Sequence, residues 1–110
     1  MFAKPLNKEQ QRLLARFVAK VVEYLEAHID YDKDEYYKIF PRDKGGMCLT
    51  VSLFVGLPTG GWCRKDFHFS LQECLVDNDA RAEIFVETGL SHALFRFRKR
   101  PTHNFVSEAD

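Results

Sequence analysis

The chain is short of several things, and each shortage excludes something. It has three cysteines, Cys48, Cys63 and Cys74, with no CxxC spacing and an odd one left over from any pairing. With a hairpin turn centred near Pro58–Thr59, Cys63 falls opposite Phe54 or Val55 and Cys48 lies toward the far end of the ladder. Those two cannot reach the Cα separation of about 4.4–6.8 Å that a disulfide requires. The expectation is three free thiols in a reducing compartment. No apolar run approaches the roughly 20 residues of a membrane-spanning helix, and no charged-then-apolar leader opens the chain. A cytoplasmic location and no membrane partner follow as expectations.

Net charge is missing too. Sixteen Lys and Arg balance sixteen Asp and Glu, which excludes a body that is a polycation throughout and leaves room only for a local basic patch. Catalytic and metal-binding patterns are equally scarce. Four histidines (His28, His68, His92, His103) form no HExxH or HxxxE spacing, so neither metal nor cofactor is expected. Asp30, Asp32, Asp34 and Glu35 lack the rest of a calcium loop and read as helix-start carboxylates. Gly45-Gly46 and Gly60-Gly61 read as turn glycines, without the spacing that cradles phosphate.

What the chain does have is phenylalanine, ten of them, and two clear periodicities. Residues 47–55 alternate, with Leu49, Val51, Leu53 and Val55 on one side. Past Gly56-Leu-Pro-Thr-Gly-Gly61 the alternation resumes, with Phe67 and Phe69 on one face and Asp66 and His68 on the other. Two period-two runs around a Pro/Gly turn predict an antiparallel hairpin over 47–69. A hairpin with one apolar face needs something to cover it. Residues 5–29 supply a helix: Asn7 and Gln10 make a capping box, and Leu13, Leu14, Phe17, Val18, Val21, Leu25 and Ile29 form one stripe.

The remaining segments fill in around that pair. Asp32 with Glu35 predicts a short helix through Tyr36, Tyr37, Ile39 and Phe40, closed by Pro41, with 42–46 as a loop. Ser70 with Glu73 opens a further helix around 71–88, interrupted near Asp77-Asn-Asp79 and ended by a left-handed Gly89; the rival reading makes 83–87 a strand. Residues 91–98 alternate and predict a C-terminal strand, Phe95 and Phe97 inward, Arg96 and Arg98 outward. The sum is an α+β domain over residues 1–101, its small antiparallel sheet covered by two helices, with a polar tail over 102–110.

The surface signal is basic and aromatic. Arg96, Arg98, Lys99 and Arg100 would face outward beside Arg64 and Lys65, backed by Trp62; Tyr36 and Tyr37 are a second candidate contact. Arginine and aromatic anchors are what protein interfaces favour, although edge strands also carry charge simply to block sheet-to-sheet pairing. The preferred expectation is a small non-enzymatic protein that binds another protein, as an inhibitor, adaptor or accessory factor of the kind phages and plasmids encode. Nucleic-acid binding through the same basic strand is the alternative. A cysteine-dependent enzyme is the third, since the hairpin makes Cys48 and His68 cross-strand neighbours. Homodimerisation through a sheet edge or residues 36–40 would be a further mode of action.

Overall fold

A computed structural model describes residues 6–44 and 47–99. The tail over 102–110 and Arg100 lie outside the described residues.

Helix α1 spans Lys8–His28 and begins as the sequence predicts: the Asn7 side chain accepts from the Gln10 backbone N–H, and Gln10 answers on the Asn7 N–H. Leu13, Phe17, Val21 and Leu25 line its buried side. Three strands follow as a meander, β1 (Glu35–Lys44), β2 (Met47–Gly56) and β3 (Trp62–Ser70), antiparallel and in the order β1-β2-β3. The hairpin expectation holds, with Val55 paired to Cys63. Its turn needs two successive left-handed residues, and Gly60 (φ 91°) and Gly61 (φ 86°) supply them at no steric cost. The Ser70/Glu73 capping box starts a single helical turn, α2 (Leu71–Cys74). Helix α3 then runs from Asp79 to Arg98, capped by Asn78.

The α+β class with a small antiparallel sheet stands, but two elements are exchanged. The segment 32–41 is not a helix. A 3-10 turn at Tyr31–Lys33 ends at Asp34, whose left-handed backbone (φ 61°) stops helical propagation, and Glu35 enters β1. Its Tyr, Ile and Phe residues favour a pleated surface, and Tyr37 and Ile39 pair with Leu53 and Val51. Residues 42–44 continue this strand instead of forming a loop. Conversely, the expected strand 91–98 is the last half of α3, and the rival strand over 83–87 is its first half. The alternation misled because Ala93, Leu94 and Phe97 share one helical face with Ala82, Val86 and Leu90, all buried. Phe97 points inward; Phe95 is exposed.

Gly89 therefore sits inside a helix and caps nothing. Its role is clearance: a Cβ there would stand 2.9 Å from Phe67 and 3.1 Å from Phe69. Helix α3 crosses β3 at that point closely enough to exclude a methyl group. Both long helices lie on the face bearing Leu49, Val51, Leu53 and Val55, and Phe17 packs edge-on against Phe69 with centroids 5.0 Å apart. They run parallel, since Lys20 meets Asp79 and Glu83 near the start of α3 while His28 meets Arg98 at its end.

Substituting Gly89→Val should lower stability by about 2 kcal/mol, the usual scale of overpacking. The urea midpoint reads this directly, and an unchanged midpoint would mean that α3 does not press on the Phe67 and Phe69 rings.

Candidate functional site

Among the described residues every helix lies on one side, and no element covers the sheet's other face. Its rows follow from the register. Gly56 of β2 is paired with Trp62, and its N–H donates to the Asp34 carbonyl. Next come Tyr36, Phe54 and Arg64, then Lys38, Ser52 and Asp66, then Phe40, Thr50 and His68.

Near the Phe40 end the face is polar and closed. Thr50 and Ser52 are fully buried although no helix lies over them, because the flanking side chains from β1 and β3 close across β2. Their hydroxyls are satisfied laterally: Thr50 Oγ1 lies 2.9 Å from His68 Nδ1, and Ser52 Oγ donates to Asp66 at 2.7 Å. Arg64 Nε donates to the same Asp66 oxygen at 3.0 Å. Burial pushes the Asp66 carboxyl up, but the hydrogen bonds from Arg64 and Ser52 outweigh it and hold the group below its usual range.

Near the Trp62 end the face is aromatic and open. Gly56 carries no side chain, so rings from both outer strands meet over the central one: Tyr36 and Trp62 lie 5.7 Å apart, edge to face. Phe54 meets Trp62 at 6.5 Å and Tyr31 meets Tyr36 at 5.7 Å. The three outer rings remain 45% (Tyr31), 39% (Tyr36) and 44% (Trp62) exposed, enough for a contiguous aromatic patch in water. Arg64 sits over the Phe54 ring at 5.6 Å. The patch is anchored from behind. Tyr31 and Tyr37 both donate their hydroxyls to Glu26 of α1, drawing that carboxylate below its ordinary range. Burial and the Glu26 contact push Tyr37 up to about 12.

The basic cluster does not assemble as expected. Arg64 and Lys65 are on β3, whereas Arg96, Arg98 and Lys99 belong to the end of α3, not to a neighbouring strand. Arg98 is engaged by intramolecular partners while its side chain stays partly exposed. It donates to both oxygens of buried Glu35 (2.7 and 3.0 Å) and to the His28 carbonyl (2.6 Å). Glu35 also accepts the Asp30 N–H, so it does not cap a helix. The contact with Glu35 raises the Arg98 pKa still further. Lys99 lies over the exposed Phe95 ring, and Arg96 is exposed. A cleft of about 550 Å³ lined by His28, Asp30, Lys33, Glu35, Val55 and Arg98 surrounds this clamp. Tyr36, Trp62 and Arg64 are thus brought together on one face, while Tyr37 turns back toward α1 and Arg98 is taken out.

The cysteine route loses its pairing as well. A register irregularity between Met47 and Leu49 shifts the ladder, and His68 faces Thr50 instead of Cys48. Cys63 and Cys74 are buried free thiols. Among the described residues no three His, Cys, Asp or Glu side chains gather as a metal site. Sequence reasoning does not reach the roles of Tyr31, Asp34 and Gly56, because they depend on β1, a segment whose sequence reads as helix. The signal was available in the alternation of Tyr37 and Ile39 with Tyr36 and Lys38.

Two outcomes test this geometry. Arg98→Ala removes the bidentate partner of a buried carboxylate and should destabilise by about 2–4 kcal/mol, allowing for the arginine's partial exposure; Arg96→Ala should leave the melting temperature unchanged. In an alkaline absorbance titration the last tyrosine to ionise should do so near pH 12 and vanish in Tyr37→Phe. Because its folded pKa lies above the unfolded value of about 10, the associated stability is intact below pH 10 and lost between there and pH 12.

No protein-family model matches this chain, and neither a curated protein nor a solved structure matches it.

Proposed function

We propose that this chain is a small, non-enzymatic binding module that captures a partner protein on the uncovered face of its sheet, at the Trp62 end. The observation that carries the reading is the contiguous patch of Tyr31, Tyr36 and Trp62, exposed to water and continued by half-buried Phe54 beside Arg64. Tyrosine, tryptophan and arginine are the residues on which interface energy concentrates, and rings fixed to strands lose little conformational freedom on binding. A role as inhibitor, adaptor or accessory factor fits a domain of this size with no reactive set among its described residues. The free thiols Cys63 and Cys74 suit a cytoplasmic setting, and no described helix is long and apolar enough to cross a membrane.

Nucleic acid finds less to hold. Base-stacking sheets combine open-face aromatics with cations for phosphate. Here Arg64 is neutralised by Asp66, Arg98 by Glu35, and the turn bordering the patch is acidic.

Affinity capture from the source organism with the wild-type chain and with Tyr36→Ala and Trp62→Ser variants tests the proposal. A protein retained by the wild type and lost from both variants, with melting curves unchanged, is the expected result. Equal retention by all three, or recovery of nucleic acid instead, would overturn it.

A further inference from the structure

We infer that the partner enters this patch with a cationic side chain, an arginine or lysine on an extended segment, seated against Tyr31, Tyr36 and Trp62 and faced by the carboxylates of the 30–34 turn. The inference rests on the open-face reading and adds the chemistry of the occupant.

Three observations carry it. First, the rings already accept a cation from this chain. Arg64 lies over Phe54 within the roughly 6 Å at which a guanidinium is attracted by an aromatic quadrupole. That site is filled, whereas Tyr31, Tyr36 and Trp62 continue the same ring system into solvent.

Second, the border of the exposed part is acidic. Asp34 stands directly across Gly56 from Trp62: a Cβ built on Gly56 would meet the Asp34 Cβ at 3.3 Å and its Oδ2 at 3.5 Å. The absent side chain at Gly56 thus brings an exposed carboxylate to the edge of the aromatic patch. Within the 30–34 turn Lys33 pairs with Asp30 on the side of the Arg98 cleft, which leaves Asp32 and Asp34 as the further carboxylates, a charge of about −2 at neutral pH. Lys38, two residues along β1 from Tyr36, is the nearest opposing charge on β1.

Third, the bases nearest the turn already have partners within the chain: Lys33 Nζ lies 4.0 Å from Asp30 Oδ2. Arg98 is held by Glu35 and the His28 carbonyl, and Arg64 by Asp66. A carboxylate beside a half-exposed aromatic cluster attracts cations and repels phosphate, so the arrangement selects a basic protein segment.

Trp62 is the only tryptophan, and its emission therefore reports the patch directly. The test titrates the full chain with the blocked peptide Gly-Arg-Gly-Arg-Gly, with its citrulline counterpart of equal shape and no charge, with the glutamate counterpart, and with a single-stranded oligothymidylate. Expected is a saturable change with the arginine peptide, at least tenfold weaker with citrulline, absent with glutamate, and weakened by salt. Asp32→Asn/Asp34→Asn should abolish the preference for arginine over citrulline; asparagine is chosen because it tolerates the left-handed backbone at residue 34. Equal binding of arginine and citrulline peptides, lost in Tyr36→Ala, would overturn the cationic occupant and leave the open-face reading standing. A response to the oligonucleotide alone would overturn both. Silence with every probe would overturn the inference without touching the capture experiment. Emission that depends only on protein concentration would mean that a second copy covers the patch, and would overturn it too.

Discussion

Three strands offer two faces, and both long helices of this protein lie on the same one. That single allocation governs the rest of the molecule. On the covered side Phe17, Val21 and Leu25 meet Val51, Leu53 and Phe69, all essentially inaccessible to water, and each such side chain contributes about 1.5–3 kcal/mol by burial. On the other side, which no described element covers, the same strands must manage in solvent. They do so in two ways: by folding polar groups onto one another around Thr50 and Ser52, and by leaving a cluster of rings exposed around Trp62.

Placing two parallel helices side by side has an electrostatic consequence. Their negative C-terminal ends converge, at His28 and Arg98. A guanidinium supplied by the last residue of α3 sits there, bonded to the His28 carbonyl and held from below by the first residue of β1. Glu35 and Arg98 are 63 residues apart in sequence, and their contact ties three elements at one corner. At the opposite end Lys20 and Arg16 of α1 face Asp79 where α3 begins, which suits the positive end of that helix.

Much of this was legible beforehand, and the parts that were not share a cause. Helix α1, its cap, the 47–69 hairpin and the capping box at Ser70 are local patterns decided by nearest neighbours, and they fold as written. Residues 35–41 and 91–98 are short segments with mixed signals, and in both the tertiary partner decides. Phe95-Arg-Phe-Arg98 alternates like a strand, yet the helix upstream continues through it because Leu94 and Phe97 complete its buried face. Asp32 and Glu35 imitate a capping box, yet Asp34 turns left-handed and the aromatic run finds β2. The site followed the elements. Trp62, Arg64 and Tyr36 were identifiable by residue type, but only the strand assignment of 35–44 puts them on one surface.

The meander also leaves two rims. Charge stands in the middle of each, Lys38 on β1 and the run Arg64-Lys65-Asp66 on β3, and Pro41 removes one backbone donor from the first. A further strand joining on either side would have to strip water from those groups before gaining any ladder bonds. Extension into a larger sheet, whether by a second copy or a foreign peptide, is discouraged at both margins. The flat of the sheet is what the molecule leaves within easy reach.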